Sequence, residues 1–511
     1  MQITEIVNHE SITNFAERLS NYYSNEKKGT NKKEKGQYFT PASIAAYMAS
    51  LADVQSESIK ILDPGAGLGI LSVALIEKIR EKNKRLINVE LTLYENDEKI
   101  IPYLNEVMNI MKKRLSKYNV GFNYEVRQED FVASNVKYIT PKLNSFNEAE
   151  YPKYDIIISN PPYFKINKKE IETYGIEQIT AGQPNIYYIF MAIATNMLSN
   201  EGQMIFITPR SFCSGLYYSS FRNWLIKRVH FSQVHIFKSR KNVFAKDKVL
   251  QENVITKFTK TKPLKIVMST SEGRDMDEIK KTEVNEDDII YKSNGHIFFR
   301  LPADKEELAI IRKLDKLPMN FYKLGYKIST GKVVAFRNSE YLKKEIGEKD
   351  IPLIWMHNIR NMRILWPSEK NGKARAIEKN EKTKKLLIEN GNYVVMKRFT
   401  TKEQKKRFDV ALVTDEDFKK QGYFALDNML NYIYCPGKKL NRETISGIAE
   451  YLSLPIVDRY FRILNGHTQV NANEVYALPF PEAKKLEKIG KNTDKFANEK
   501  QERILEQILT N

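Results

Sequence analysis

Four consecutive residues, Asn160-Pro161-Pro162-Tyr163, carry the most specific chemistry in the chain. They follow the apolar run Asp155-Ile156-Ile157-Ile158-Ser159, which reads as a buried strand ending at a turn. Two successive prolines fix that turn and remove two backbone donors. The strand tip then offers a side-chain amide oxygen, the backbone carbonyl of Pro161 and an aromatic face around one small space. Such a set suits an exocyclic amino group on a flat ring. The nitrogen lone pair of that group is delocalised into the ring, so it is a poor nucleophile. Hydrogen bonds to the Asn160 oxygen and the Pro161 carbonyl draw it toward tetrahedral geometry and localise the pair. The chemistry is then in-line attack on a sulfonium methyl, driven by positioning and electrostatics without a covalent intermediate. Tyr163 or Phe164 can stack on the target ring, which is worth about 1–3 kcal/mol. That offsets the few kcal/mol needed to extrude a base from a duplex. Phe244, in Val243-Phe244, offers a second stacking face.

A methyl donor needs a site upstream. Asp63-Pro64-Gly65-Ala66-Gly67-Leu68-Gly69 lies where a predicted strand, Ile59 to Leu62, turns into a predicted helix, Ile70 to Lys82. Glycines there let backbone approach a ligand closely, but a dinucleotide site has the same look. Two details favour another nucleoside. Asp63-Pro64 opens the loop, and Tyr94-Glu95-Asn96-Asp97 closes the next strand, where Glu95 is placed to accept both hydroxyls of a ribose. Glu129-Asp130-Phe131 follows a third strand; Asp130 can accept from an adenine amino group while Phe131 packs on the ring. Taken alone, a loop Asp beside a core Phe reads equally well.

These residues need a frame that brings strand ends together. Strands are expected at Val89 to Tyr94, Asn123 to Arg127, Tyr154 to Ser159, Gly202 to Thr208, Val234 to Phe237 and Asn253 to Phe258, with an apolar helix from Ile186 to Leu198. The alternation predicts a doubly wound α/β sheet with its ligand at the carboxyl ends of the strands. The last two strands are close in sequence and are expected to form an antiparallel edge. The alternation stops near residue 260, and Glu272 to Asp288 reads as a charged surface hairpin or linker. From Phe298 onward, helical pieces mix with turns and basic or aromatic clusters, and a Lys/Glu-rich helix is expected near Ala483 to Leu509.

Composition narrows the partners. The chain has 511 residues, a net charge of +19 and 42% hydrophobic residues. Its pI is near 9.4. That balance favours a polyanionic partner, nucleic acid above all, although a solvated lysine-rich surface gives the same total. Two cysteines, Cys213 and Cys435, exclude a disulfide framework and a cysteine-rich zinc site, and no metal site is expected. A signal-peptide core and a membrane-length apolar run are both missing, so the expectation is a cytoplasmic protein.

Taken together, the motifs resemble the gamma class of bacterial S-adenosylmethionine-dependent DNA amino methyltransferases. Gly36-Gln37-Tyr38-Phe39-Thr40-Pro41 is similar to that family's first motif, which implies Tyr38 and Thr40 at the methionine end of the cofactor. Asp63, Gly65 and Gly67 match the cofactor loop, Glu95 with Asn96 the ribose site, and Asp130-Phe131 the adenine contacts. Asn160 to Tyr163 match the catalytic motif in its adenine form, with Asn160 also beside the cofactor; cytosine-amino enzymes usually carry Ser first. Leu68 departs from the Thr or Ser common in the loop. Gln183 to Tyr187, Ile207 to Phe212, and Val243-Phe244 with Leu250 to Asn253 are similar to later family segments, so the resemblance covers 36–260 strongly; it covers the rest loosely, as at Gly466 to Ala472 and Leu478 to Pro481.

The resemblance implies a Rossmann-like methyltransferase sheet with an antiparallel edge strand, followed by a mixed α+β target-recognition domain. The expected layout is a helical lead-in at 1–35, a catalytic domain at 36–297 and a recognition domain at 298–511. Lys397, Arg398, Lys405, Lys406, Arg407, His467, Gln469 and Asn471 are candidate DNA contacts, set against a solvated charged helix. The implied activity is methylation of N6 of a flipped adenine in double-stranded DNA by a monomer or weak dimer associated with the bacterial nucleoid. The rivals are N4-cytosine, RNA-base and protein-glutamine methylation, and a DNA-binding module with a decayed cofactor site. The segment before Gly36 is too short for a nuclease domain, so any cognate restriction endonuclease is expected on a separate chain.

Overall fold

The computed structural model describes the chain except residues 1–5, 7–9, 27–38, 141–150, 181–183, 239–251, 368–371, 401–403, 466–468, 493–503, 505–507 and 509–511. Tyr38, Phe244 and His467 therefore lie outside the described residues. The chain divides into two compact units, Met1–Tyr291 with Ile297–Lys305, and Lys292–His296 with Glu306–Asn511.

The first unit is built on nine strands: β1 (Ser58–Asp63), β2 (Asn88–Tyr94), β3 (Gly121–Arg127), β4 (Tyr154–Ser159), β5 (Leu198–Pro209), β6 (His230–Phe237), β7 (Asn253–Thr259), β8 (Ile266–Ser271) and β9 (Lys280–Val284). Their order is β3-β2-β1-β4-β5-β7-β6-β8-β9. The central strands are parallel, and the carboxyl-terminal halves of β1 and β4 are buried, with Ile61 and Leu62 beside Ile156 to Ile158. Register fixes the height of their ends. Ile61 pairs with Ile156 and Leu62 with Ile157 across β1 and β4, while Asp63 pairs with Leu93 across β1 and β2. The strand order reverses between β1 and β4, which opens a crevice at their carboxyl ends.

Two expectations need correction. The antiparallel pair β6 and β7 is real, but β7 is inserted between β5 and β6, so neither is an edge. The sheet also runs past residue 260 through β8 and β9, and the antiparallel edge strand is β9, from the stretch read as a charged linker. Its burial pattern is mostly exposed, as suits an edge. The helix Ile12–Glu26 buries Ile12, Phe15 and Leu19 in the same core as Ile61, Leu75 and Val89. Its first turn is tied to Glu77, whose carboxylate accepts from Ile12 N at 3.0 Å and Thr13 Oγ1 at 2.7 Å.

The second unit holds a six-stranded sheet that includes Tyr393–Lys397 and Val410–Val413, and a five-stranded sheet that includes Asp350–Ile354 and Tyr423–Leu426. Four helices follow, Arg442–Ser453, Pro455–Leu464, Ala472–Tyr476 and Ala483–Lys491. The sequence from Phe298 reads as irregular because most of these strands are only two to five residues long. The first and last of the four helices meet backbone to backbone. A Cβ on Gly447 would stand 1.9 Å from the Leu486 carbonyl oxygen, and one on Gly490 would stand 1.9 Å from that of Glu443.

Gly447→Ala should therefore push these helices apart at a cost of about 1–3 kcal/mol. Calorimetry should show the melting transition falling by about 2–4 °C per kcal/mol; an unchanged transition would contradict the close packing.

Candidate active site

The ends of β1, β2 and β4 meet at a cavity of about 330 Å³, within the range of small-ligand sites. Its floor is the turn Pro64 to Gly67, continued by Ile70 and Leu71. The turn must become a helix at once, and Gly69 makes this possible at φ 77°. A Cβ on Gly69 would also meet Met108 Cε at 2.7 Å and Leu104 Cδ1 at 2.9 Å, so a larger residue would add side-chain shifts to the strain of the positive φ.

Glu95, just past the end of β2, forms one wall. Its Oε2 accepts from Gly67 N at 2.9 Å and its Oε1 from Asp97 N at 2.8 Å. One carboxylate thus holds the glycine turn in place and keeps a lone pair on each oxygen for a ligand. Burial raises its pKa, and the backbone bonds from Asp97 and Gly67 act in the opposite direction. Asn96 lines the cavity beside it.

Asp63 plays a different part from the one expected. It is fully buried and absent from the wall. Its carboxylate accepts from Ser72 Oγ at 2.8 Å and, at the limit of a hydrogen bond, from Gly65 N at 3.4 Å. It ties the turn to the following helix from beneath. Burial pushes its carboxyl up to about 7, partly countered by the Ser72 and Gly65 bonds.

The far wall is aromatic. Phe131 starts a short helix capped by Asp130, whose Oδ1 accepts from Ala133 N at 2.8 Å. The Phe131 ring lies 5.0 Å from Tyr94 and 5.0 Å from Phe190. Asp130 sits exposed at the rim of the cavity.

Asn160 and Pro162 close the site. The Asn160 amide is held at both ends: its Nδ2 donates to Thr40 Oγ1 at 3.1 Å, and its Oδ1 accepts from the Tyr163 hydroxyl at 2.6 Å. That hydroxyl also stands 2.9 Å from the carbonyl oxygen of Ile207 in β5. Thr40, expected as a cofactor contact, is thus a partner of Asn160 as well as a wall residue.

Tyr163 and Pro161 do not line the cavity, whereas Phe164 does. The Tyr163 ring is 9% exposed and meets the Tyr187 ring edge-on at 6.2 Å. The sequence reading missed Phe39, Ile186 and Phe190 as wall residues. Phe190 gives no signal because the helix Ile186–Met197 is apolar on every side.

The candidate DNA contacts lie in the second unit and separate into groups. Lys405 and Lys406 are exposed. Lys397 sits in a strand and pairs with Asp409 at 2.5 Å. Arg398 lies over the Phe399 ring, and Gln469 bridges to Phe399. Asn471 caps the helix Ala472–Tyr476 in a box with Glu474. Arg407 must be corrected: it is 1% exposed, with its guanidinium over the Phe461 ring, so it serves the core.

The wall residues fit a nucleoside with a sulfonium arm. Glu95, Asn160 and Thr40 line the cavity with oxygen acceptors, and the touching rings of Phe131 and Phe190 add an aromatic wall.

The pH dependence of Asp63 is testable. Its folded pKa lies above the unfolded value of 3.8, so its contribution to stability is complete below that pH and is lost as pH rises through about 7. Melting temperatures measured from pH 4 to 7 should fall less steeply in Asp63→Asn than in the parent chain; parallel curves would refute the assignment.

The family model of the Eco57I restriction-modification methylase matches residues 69–244. The chain is 33% identical over 484 residues to the Type II methyltransferase M.PstI of Providencia stuartii, covering 94% of each chain. It is 33% identical over 494 residues to the Type II methyltransferase M.BsuBI of Bacillus subtilis, covering 94% of this chain and 95% of the relative. The Type IIL restriction-modification enzyme MmeI, solved in complex with DNA, shares the fold at 11% identity and a TM-score of 0.53, over 97% of this chain and 73% of the other.

Proposed function

The chain belongs to the Type II methyltransferase family of restriction–modification systems, and from that premise we propose that it methylates N6 of an adenine extruded from double-stranded DNA. It is a DNA methyltransferase that uses S-adenosylmethionine. The observation that carries the finer reading is the Asn160 amide, set in the cofactor cavity wall and held by Thr40 and Tyr163.

Each residue then has a task. Glu95 accepts the ribose hydroxyls while its bonds to Gly67 and Asp97 keep the turn in shape. Phe131 and Phe190 together form one side of the site for the cofactor's adenine, with Asp130 at the rim for its amino group. The bound cofactor supplies an electrophilic methyl group on a positively charged sulfur. At the other end, Asn160 Oδ1 on the cavity wall accepts one hydrogen of the target amino group, and the second is assigned to the Pro161 carbonyl, which sits between the wall residues Asn160 and Pro162 and must open to the cavity when the base enters. Those bonds hold the nitrogen in line and localise its lone pair. A nitrogen–methyl bond forms, a sulfur–methyl bond breaks, and the nitrogen sheds one proton to water. Phe164, as a wall residue, can stack on the extruded base, and Tyr163 orients Asn160. Asn rather than Ser at position 160 favours adenine over cytosine. We further propose that the chain acts as a monomer or weak dimer and that any cognate endonuclease is a separate chain.

The test is methylation of mixed-sequence duplex DNA followed by digestion to nucleosides and mass spectrometry. N6-methyladenine is expected; N4-methylcytosine would keep the mechanism and overturn the base assignment.

Two variants separate chemistry from positioning. Asn160→Ala should lower kcat by about 100-fold or more, as loss of a preorganised transition-state contact does. Thr40→Val should lower kcat by about tenfold, the value of one hydrogen bond, with little change in KM for DNA. Equal kcat in Thr40→Val and parent would show that Thr40 does not orient the amide.

A further inference from the structure

In the second unit, strands Ile359–Arg360 and Met362–Ile364 form a tight antiparallel hairpin in which Ile359 pairs with Ile364 and Arg360 with Arg363. The two turn residues, Asn361 and Met362, have φ of 50° and 61°, the positive values that a two-residue turn of this hand requires. Asn tolerates that conformation, whereas Met adopts it at a cost. Met362 packs against the core that contains Val410, so the turn is anchored. The Ile359–Ile364 pair packs into the neighbouring core. Strand alternation therefore sends the Arg360–Arg363 pair to the opposite face, and both arginines are exposed.

Directly opposed residues hold their Cβ atoms about 4.5–5.5 Å apart, and like charges there are destabilising. Among the described residues neither arginine side chain has an acidic partner or a hydrogen bond; both residues bond only through the backbone ladder. Ile359–Arg360 is the outer strand of its sheet, and a charge on an edge blocks unwanted pairing. One charge of either sign does that; two arginines facing each other add a repulsion that an anionic or strongly accepting partner would relieve.

We propose that this hairpin enters the major groove of double-stranded DNA and that Arg360 and Arg363 read guanines. The inference rests on the reading of the chain as a DNA methyltransferase and names the side chains that confer its specificity. A two-stranded ribbon fits the groove, which is about 12 Å wide, and a guanidinium donates in parallel to O6 and N7 of guanine. Lysine cannot reproduce that fork.

The test uses the full chain and a duplex selected from a randomised pool by binding, so it does not depend on turnover. Fluorescence anisotropy would compare the selected duplex with its single-pair substitutions over a salt series, for the parent, Arg360→Ala, Arg363→Ala and Arg360→Lys. Each alanine variant should lose about 5- to 150-fold in affinity for the selected duplex and lose discrimination at one base pair. Arg360→Lys should not recover the discrimination. Melting temperatures of the alanine variants should equal or exceed the parent's, because an opposed charge is removed. Uniform weakening across sequences with a shallower salt slope would mean phosphate contact and overturn base reading, as would unchanged binding. Failure of the parent to bind duplex DNA would overturn the hairpin assignment as well as the reading beneath it. Expected behaviour of the variants alongside N4-methylcytosine as product would leave the hairpin standing and remove only the adenine assignment.

Discussion

The parallel register of β1 against β2 and β4 is the constraint on which the site depends. Ile61 opposite Ile156 and Asp63 opposite Leu93 set three strand ends at one level. Each end then delivers one group, the glycine turn after β1, Glu95 after β2 and Asn160 after β4. A slip of one residue would turn every side chain of a strand to the other face.

That alignment also concentrates groups that are costly to bury. Asp63 and Glu95 both have raised pKa values, with desolvation the largest cause for each. The fold keeps them because each carboxylate does a backbone task, Asp63 from below the turn and Glu95 from beside it. Perturbed carboxyls of this kind mark functional sites. The Asn160 amide is governed by the same logic. Its orientation depends on Thr40, far upstream in sequence, and on Tyr163, three residues on, so the motif at the tip of β4 acts only within the assembled sheet.

Much of this was legible in the sequence where the signal is local. Ile156 to Ile158 ending at Asn-Pro-Pro gives β4 and its tip, and Gly65 to Gly69 between a strand and a helix with apolar Leu71, Leu75, Ile76 and Ile79 gives the glycine turn. The failures are tertiary. β8 reads Ile-Val-Met-Ser-Thr-Ser and β9 reads Lys-Lys-Thr-Glu-Val, weak apolar patterns that become strands only by pairing with a formed sheet. Asp63 looked like a ligand contact because its position beneath the turn is set by Ser72, nine residues later. Arg407 looked like a surface charge among Lys405 and Lys406, yet its burial is decided by Phe461 on a distant helix. The second unit was read poorly because strands of two to five residues leave little room for periodicity.

The most direct measurement is a crystal structure of the full chain with an unreactive cofactor analogue and duplex DNA containing its methylation site. The account predicts an adenine extruded into the cavity, its amino nitrogen within hydrogen-bond distance of Asn160 Oδ1 and the Pro161 carbonyl, and the analogue's ribose on Glu95. A target base left in the stack, or an amino group held by other residues with the Asn160 amide turned away, would contradict it.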